Sequence, residues 1–144
     1  MPQKTDFSFR KDERLCSRRL IEQLFSGGGK SMSAYPLRVV FMPVASTETP
    51  SPATVLVSVS KRHFKLAVNR NRVKRQVREA YRRHKHLLNA ALERQPECHL
   101  LLAFLWLSDR LYSSAEVDRH VKHLLTRISE RFAVSLSKEG APHG

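Results

Sequence analysis

The residues best suited to chemistry are concentrated in one basic segment, residues 61–85. Eleven of its 25 residues are Lys or Arg, and Glu79 is the only acidic one. On a helix, Arg75, Arg78 and Arg82 lie on one side and the apolar residues on the other. Like charges at these spacings repel one another, and a bound polyanion would relieve the repulsion. Because Arg is suited to bidentate contact with phosphate, the segment predicts binding to RNA or DNA rather than an ordinary solvated helix.

An aromatic ring, Phe64, stands among these cations. Bases of single-stranded nucleic acid stack on aromatic rings while Lys and Arg follow the backbone. Phe64 lies in the polar stretch 61–65, where a core role is less obvious than an RNA contact. Phe41, on a predicted strand, is explained equally well by core packing. No helix-turn-helix, zinc-finger or basic-zipper pattern is present, so the aromatics favour single-stranded nucleic acid.

Other kinds of site do not fit the sequence. Gly29-Lys30-Ser31 would need a second glycine at Leu24 to form a phosphate-binding loop. His120 and His123 could share a helix face, but no carboxylate or cysteine accompanies them, so we expect no metal site. No paired carboxylates and no nucleophile with its base are visible. We therefore expect no catalytic residues in this chain, and another molecule to supply the chemistry of any reaction.

The whole chain shares the basic character of this segment. Its 144 residues carry 26 Lys and Arg against 13 acidic residues, a formal net charge of +13. This balance makes nucleic acid the first expected partner and an anionic membrane surface the second. The longest apolar run, residues 100–107, is too short to cross a bilayer, and the N-terminus has no apolar signal segment. Cys16 and Cys98 are isolated, as in a reducing compartment. We expect a cytoplasmic protein without a membrane partner.

The first half of the chain predicts a helix and two strands. Apolar residues at helical spacing predict an amphipathic helix over 11–25, ended by the glycines at 27–29. Residues 37–44 and 55–59 predict two strands separated by the polar loop 45–53. We expect these two strands to pair as a hairpin.

The second half predicts two helices around one strand. Residues 71–94 have helical periodicity, and the continuous apolar run 100–107 suits a central strand covered on both faces. A capping box formed by Ser113 and Glu116 predicts the start of the last helix, whose apolar spacing continues to Phe132. The order helix-strand-strand-helix-strand-helix predicts an α/β fold, an α+β sandwich around a small central mixed sheet.

The length and composition predict one domain. With 41% hydrophobic residues the chain can form a core without disulfides or metal. The predicted boundaries are an N-terminal extension at 1–10, a single RNA-binding domain at 11–134 and a flexible tail at 135–144.

The stretch 55–82 resembles the signature of the bacterial ribonuclease P protein family. A Ser-Val-Ser-Lys-Arg strand end over 58–62 is followed by an Ala-Val pair and by Arg-Asn-Arg-x-Lys-Arg-x-x-Arg over 70–78. Upstream, Lys-Asp-Glu-Arg-Leu over 11–15 is similar to the start of the family's first helix. The resemblance extends roughly over residues 7–132.

The resemblance implies a function and a set of site residues. In that family a large RNA uses bound Mg²⁺ to hydrolyse the phosphodiester at the 5′ end of tRNA, and the protein is an auxiliary subunit. The implied partners are the catalytic RNA and precursor tRNA, with Mg²⁺ at the RNA active site, no cofactor on the protein and no hydrolysis by the protein alone. The implied RNA-docking residues are Arg70, Asn71, Arg72, Lys74, Arg75, Arg78 and Arg82. A cleft beside the first helix would hold the single-stranded 5′ leader, bordered by Phe25, Val40, Lys61, Arg62 and Phe64. The family fold also implies a left-handed crossover.

Two positions depart from the family pattern. Ile21 and Val40 stand where many members place an aromatic ring, so base stacking would be weaker here or supplied by Phe41 or Phe9. Two other functions stay open at this point. A ribosomal-type structural RNA-binding protein would share the charge without the leader cleft, and a stand-alone nuclease would cleave without an RNA subunit.

Overall fold

The computed structural model describes residues 11–140, with side chains through Phe132, as a mixed sheet between two helical layers. The strands are β1 (Lys30–Ala34), β2 (Leu37–Ala45), β3 (Ala53–Ser58) and β4 (Cys98–Trp106). Their order is β1-β2-β4-β3, with β3 parallel to β4 and the other neighbours antiparallel. The predicted α+β fold with a mixed sheet is confirmed. The predicted extension at 1–10 and residues 141–144 lie outside the described residues.

The central position of β4 follows from its sequence. Residues 100–104 are all buried, because β4 lies between β2 and β3 and helices cover both faces of the sheet. A strand covered on both faces has no polar side, which explains the continuous apolar run. The predicted central strand is therefore confirmed.

The predicted hairpin between 37–44 and 55–59 is wrong, because β4 separates these two strands. β2 instead forms its hairpin with β1, where Lys30 lies opposite Phe41. The sequence of β1 gives little signal, since Met32 is the only buried side chain on this edge strand. Alternation of side chains identifies a strand but does not specify its neighbour.

Four α-helices lie in the described part of the chain: α1 (Arg18–Gln23), α2 (Ala67–His84), α3 (Asn89–Glu93) and α4 (Ser114–Gly140). The capping box before α4 is confirmed: the Ser113 hydroxyl accepts from the Glu116 amide at 3.2 Å, and the Glu116 carboxylate accepts from the Ser113 amide at 3.2 Å. Within residues 11–140, no helix is both long enough and apolar enough to cross a bilayer.

The first helix is shorter than the range 11–25 that its apolar spacing predicts. Residues 11–13 form a 3₁₀ turn, and α1 begins only at Arg18, where the Ser17 hydroxyl accepts from the Leu20 amide. Between them the chain runs beside β3, because the Leu15 amide donates to the Val55 carbonyl at 2.9 Å. The predicted glycine stop is confirmed, with Gly27 at a φ of 106°.

The boundaries of the later helices also differ from the prediction. α2 begins at Ala67 rather than 71 and ends at His84, where a 3₁₀ turn separates it from α3. The backbone of α4 stays helical to Gly140, beyond the end of its apolar pattern at Phe132, and the flexible tail at 135–144 stays a prediction.

The two faces of the sheet carry separate cores. Helices α2 and α4 cover one face through a cluster that includes Val73, Val77, Phe104 and Leu124. The opposite face packs against α1 and the chain before it through a smaller cluster: Leu15, Leu20, Leu24, Val40, Leu101 and Ala103. The predicted basic helix and the predicted cleft beside the first helix therefore belong to different layers of the sandwich.

Candidate nucleic-acid interface

Helix α2 separates its apolar and basic residues on two faces. Its buried residues are Val73, Gln76, Val77, Ala80 and Tyr81. Arg72 and Arg75 are exposed, while Lys74 and Arg78 are half-buried. The predicted division into a core face and a cationic face is confirmed, and the core contacts of α2 hold the cations at the surface.

Arg70 at the start of α2 has a structural contact as well as a charge. Its guanidinium donates to the carbonyls of Phe64 at 2.8 Å and Lys65 at 2.9 Å. These bonds hold the preceding loop to a helix whose N-cap, Leu66, has no side chain that could cap it. Asn71, the next residue, is exposed.

A concavity of about 460 Å³ gathers several of the predicted RNA-docking residues on α2. Its lining residues are Arg14, Asn71, Arg75, Arg78, Glu79 and Arg82. Arg82 donates to the Glu79 carboxylate, and this hydrogen bond is the main reason that the pKa of Glu79 lies below its ordinary value. The pKa of Arg78 is lowered by burial and then by the charge of Arg14. The concavity therefore concentrates positive charge that a phosphate would stabilise.

Arg14 belongs to this surface but lies far from the basic segment in sequence. The Leu15–Val55 backbone bond fixes its position beside α2. The neighbouring Glu13 adds an ion pair to Lys85 at 2.8 Å, and both of these side chains are largely buried. No local sequence pattern reveals that Arg14 reaches α2, since the sheet brings the two together.

The opposite face of the sheet, on the side of α1, is where the leader cleft is predicted. Arg38, Leu105 and Ser58 lie side by side across β2, β4 and β3. Arg38 and Ser58 are exposed and Leu105 is half-buried, so an apolar floor is flanked by a cation and a hydroxyl. The predicted residues Lys61 and Arg62 lie in the turn shortly after β3 and are exposed. Arg38 could have been found from the sequence, because it stands two positions before Val40 and shares its face.

Phe25 and Val40 lie on this side of the sheet with different accessibility. Phe25 is 45% exposed in the turn that follows α1. Val40 is only 6% exposed, because the chain at Gly29 passes directly over it. A Cβ on Gly29 would stand 2.7 Å from the Val40 Cγ1 atom, so the close approach requires glycine. Val40 is therefore covered by the chain at Gly29, whereas the ring of Phe25 is accessible.

The structure contradicts the expected role of Phe64. Its side chain is 7% exposed and belongs to the core between the sheet and helices α2 and α4. Its polar neighbours point outward while the ring packs inward, so it cannot stack on a base. Phe41 is buried in the same core, which removes it as a substitute ring, and Phe9 lies outside the described residues.

Together these features define a class of protein. A strongly basic α+β domain that carries an arginine-lined helix on one layer and an open, partly apolar sheet face on the other is an RNA-binding domain.

Comparison with known proteins identifies the family. The Ribonuclease P family model matches residues 9–129. The ribonuclease P protein component of Porphyromonas gingivalis is 44% identical over 123 residues, covering 85% of this chain and 88% of that protein. The component of Chlorobium phaeobacteroides is 39% identical over 108 residues, covering 72% and 74%. The chain belongs to the ribonuclease P protein component family and is an RNA-binding subunit of this tRNA-processing ribonucleoprotein.

Solved structures agree on the fold. The ribonuclease P protein of Staphylococcus aureus superposes with a TM-score of 0.62 at 19% identity, covering 85% of this chain and 99% of that chain. The protein of Thermotoga maritima superposes with a TM-score of 0.59 at 24% identity, covering 81% and 97%. The left-handed crossover stays a prediction from the family resemblance.

Proposed function

We propose that the cationic face of α2 docks on the catalytic RNA of ribonuclease P while the open sheet face holds the 5′ leader of precursor tRNA. The observation that carries this proposal is the placement of the two surfaces on different layers of one small domain. A protein with charge on both layers can contact two polyanions at once. The ribosomal-type alternative has no observation in its favour.

The cations would act mainly by displacing counterions. Each phosphate that an Arg or Lys neutralises releases condensed counterions, so a +13 protein between two RNA molecules lowers the cost of their approach. Arg72 and Arg75, which are exposed on α2, would supply contacts of this kind. The protein would thereby strengthen assembly without taking part in bond cleavage.

Leader binding would add affinity away from the scissile phosphodiester. Single-stranded RNA stacks its bases on rings and follows cations with its backbone. Phe25, Arg38 and Lys61 are exposed and would supply these groups, and Arg38 lies opposite the half-buried Leu105. Because mature tRNA lacks the leader, contacts to the leader would favour precursor over product.

Hydrolysis would be carried out by the RNA with Mg²⁺, in the cytoplasm where precursor tRNA is processed. Mg²⁺ prefers hard oxygen ligands such as phosphate. Among the described side chains, no three His, Cys, Asp or Glu residues come together as a metal site. The protein residues would bind and position the substrate.

The test is 5′ processing of a precursor tRNA by reconstituted enzyme. Purified protein, a bacterial ribonuclease P RNA and the two together should be compared at low Mg²⁺. We expect no cleavage by the protein alone and the most efficient cleavage by the two together. Leader removal by rigorously RNA-free protein would contradict the proposal.

A further inference from the structure

Two turns with the same hydrogen bond stand side by side at one end of the sheet, after β3 and after β4. Because these strands are parallel neighbours, they end at the same edge and the chain leaves the sheet twice in one place. In the first turn the Arg62 amide donates to the Ser60 hydroxyl at 3.0 Å. In the second turn the Arg110 amide donates to the Ser108 hydroxyl, also at 3.0 Å. The sequence Ser-Lys-Arg over 60–62 therefore has a structural counterpart in Ser-Asp-Arg over 108–110.

Both turns lie at the end of the sheet face that is proposed to hold the leader. The Leu107 amide donates to the Pro36 carbonyl at 2.8 Å, which places the second turn beside the start of β2. Arg38 follows two positions after Pro36 and is exposed. The cations of the first turn, Lys61 and Arg62, are exposed as well. The positions of these cations therefore depend on how the two turns are held.

One hydrogen bond between side chains joins the two turns. His63 Nδ1 lies 2.7 Å from Asp109 Oδ1, although the residues are 46 positions apart in the sequence. Because a carboxylate can only accept, the ring donates from Nδ1. The His63 side chain is 15% exposed and the Asp109 side chain 77% exposed, so a largely buried ring is tied to an accessible carboxylate. The bond couples the turn that carries Lys61 and Arg62 to the chain after β4.

The charge of Asp109 does not suit a surface that binds RNA. The carboxylate stands near the exposed cations Lys61, Arg62 and Arg110, and it would repel the phosphates of a leader. If charge were its only contribution, leader binding would be stronger without it. The hydrogen bond to His63 offers a contribution of the opposite sign.

We propose that Asp109 is a positioning residue for leader binding. By accepting from His63, it holds the turn of Lys61 and Arg62 in one arrangement before the leader binds. Ordering loops and long side chains during association costs affinity, and a turn that is already fixed avoids part of this cost. The role rests on the proposed leader cleft and adds to it a residue that acts through another side chain rather than by touching RNA.

The test compares two substitutions that give the same net charge. Asp109→Ala removes the acceptor, whereas Asp109→Asn removes the charge and keeps a carbonyl oxygen that can accept from His63. Each full-length variant should be assembled with ribonuclease P RNA, and its affinity for precursor and mature tRNA measured at one salt concentration. We expect Asp109→Ala to bind precursor tRNA about two- to tenfold more weakly than Asp109→Asn, with equal affinities for mature tRNA. Equal precursor binding by the two variants, or tighter binding by Asp109→Ala, would overturn the proposal.

A second measurement reports on the turn itself. The amides of Arg62 and His63 both donate to Ser60, so their hydrogen exchange measures how firmly the turn is held. Exchange at both amides should be faster in Asp109→Ala than in Asp109→Asn, while the thermal unfolding of the two variants agrees. Equal exchange rates would show that Asp109 does not hold the turn and would overturn the proposal.

The leader cleft can fail or stand separately from this role. If the two Asp109 variants bind precursor alike while Phe25→Ala still loses the preference for precursor, only the positioning role fails. If the wild-type complex itself shows no preference for precursor over mature tRNA, the leader cleft fails and the positioning role fails with it.

Discussion

Replacing Arg72 and Arg75 together with Ala should weaken docking on the catalytic RNA without unfolding the protein. Both side chains are exposed on α2, whereas Val73 and Val77 hold the helix to the core. The double variant therefore removes two cations and leaves the apolar face intact. We expect its thermal unfolding to match that of the wild type.

The size of the effect follows from counterion release. At about 0.9 per phosphate contact, loss of two contacts should reduce the slope of log affinity against log salt by about 1.8. Between about 50 and 200 mM salt, the affinity of the variant should therefore fall about 12-fold less than that of the wild type. The two proteins should differ most at low salt, where the lost contacts contribute most.

The assay is equilibrium binding to ribonuclease P RNA across a potassium chloride series. The matched control replaces Arg127 and Arg131, two exposed residues spaced four apart on α4, with Ala. The control removes the same net charge, so any difference in slope reports the location of the contacts. Equal slopes for the α2 variant and the wild type would refute docking through this helix.

Three further predictions concern substitutions at Phe64, Phe25 and Ser113. Phe64→Ala should lower the free energy of unfolding by about 3–5 kcal/mol because it opens a cavity in the core. If urea denaturation shows the variant to be as stable as the wild type, the ring lies at the surface and not in the core. Phe25→Ala should leave stability nearly unchanged and reduce the preference of the reconstituted enzyme for precursor over mature tRNA by about 5- to 150-fold, the equivalent of about 1–3 kcal/mol for one stacked base. Equal weakening of both tRNAs would place Phe25 outside the cleft. Hydrogen bonds from Ser113 lower the pKa of Glu116, so this cap stabilises the fold above the ordinary Glu pKa and is lost as pH falls through the lowered value. Ser113→Ala should accordingly lower the melting temperature more at pH 7 than in acid, and a pH-independent difference would contradict the role of the carboxylate.

The features of α2 could be predicted because charge and apolar spacing occur together within one helix. A helix has a fixed period, so positions such as Arg75 and Val77 can be assigned to faces from the sequence alone. β4 could also be predicted from the sequence, since a strand buried on both faces has no alternation of polar and apolar residues. The pairing of the strands could not be predicted, because β2 and β3 have the same alternation of side chains whichever strand lies beside them.

The position of Phe64 depends on tertiary structure rather than on local pattern. A residue between a strand and a helix has no fixed period, and here the turn directs the ring inward although its neighbours are cations. The position of Arg14 also depends on tertiary structure, since backbone pairing with β3 brings this residue, distant in sequence, close to α2. The sequence therefore predicts the basic helix well, but it misplaces the ring of Phe64 and does not reveal the positions of Arg14 and Arg38.

The assignment of one RNA to each layer is the central claim, and site-specific crosslinking tests it most directly. In a background with Cys16→Ser and Cys98→Ser, a photoreactive maleimide should be attached to Arg72→Cys or to Arg38→Cys in the complete enzyme with precursor tRNA. We predict that position 72 crosslinks to the catalytic RNA and position 38 to the 5′ leader. Leader crosslinks from position 72, or none from position 38, would contradict the assignment.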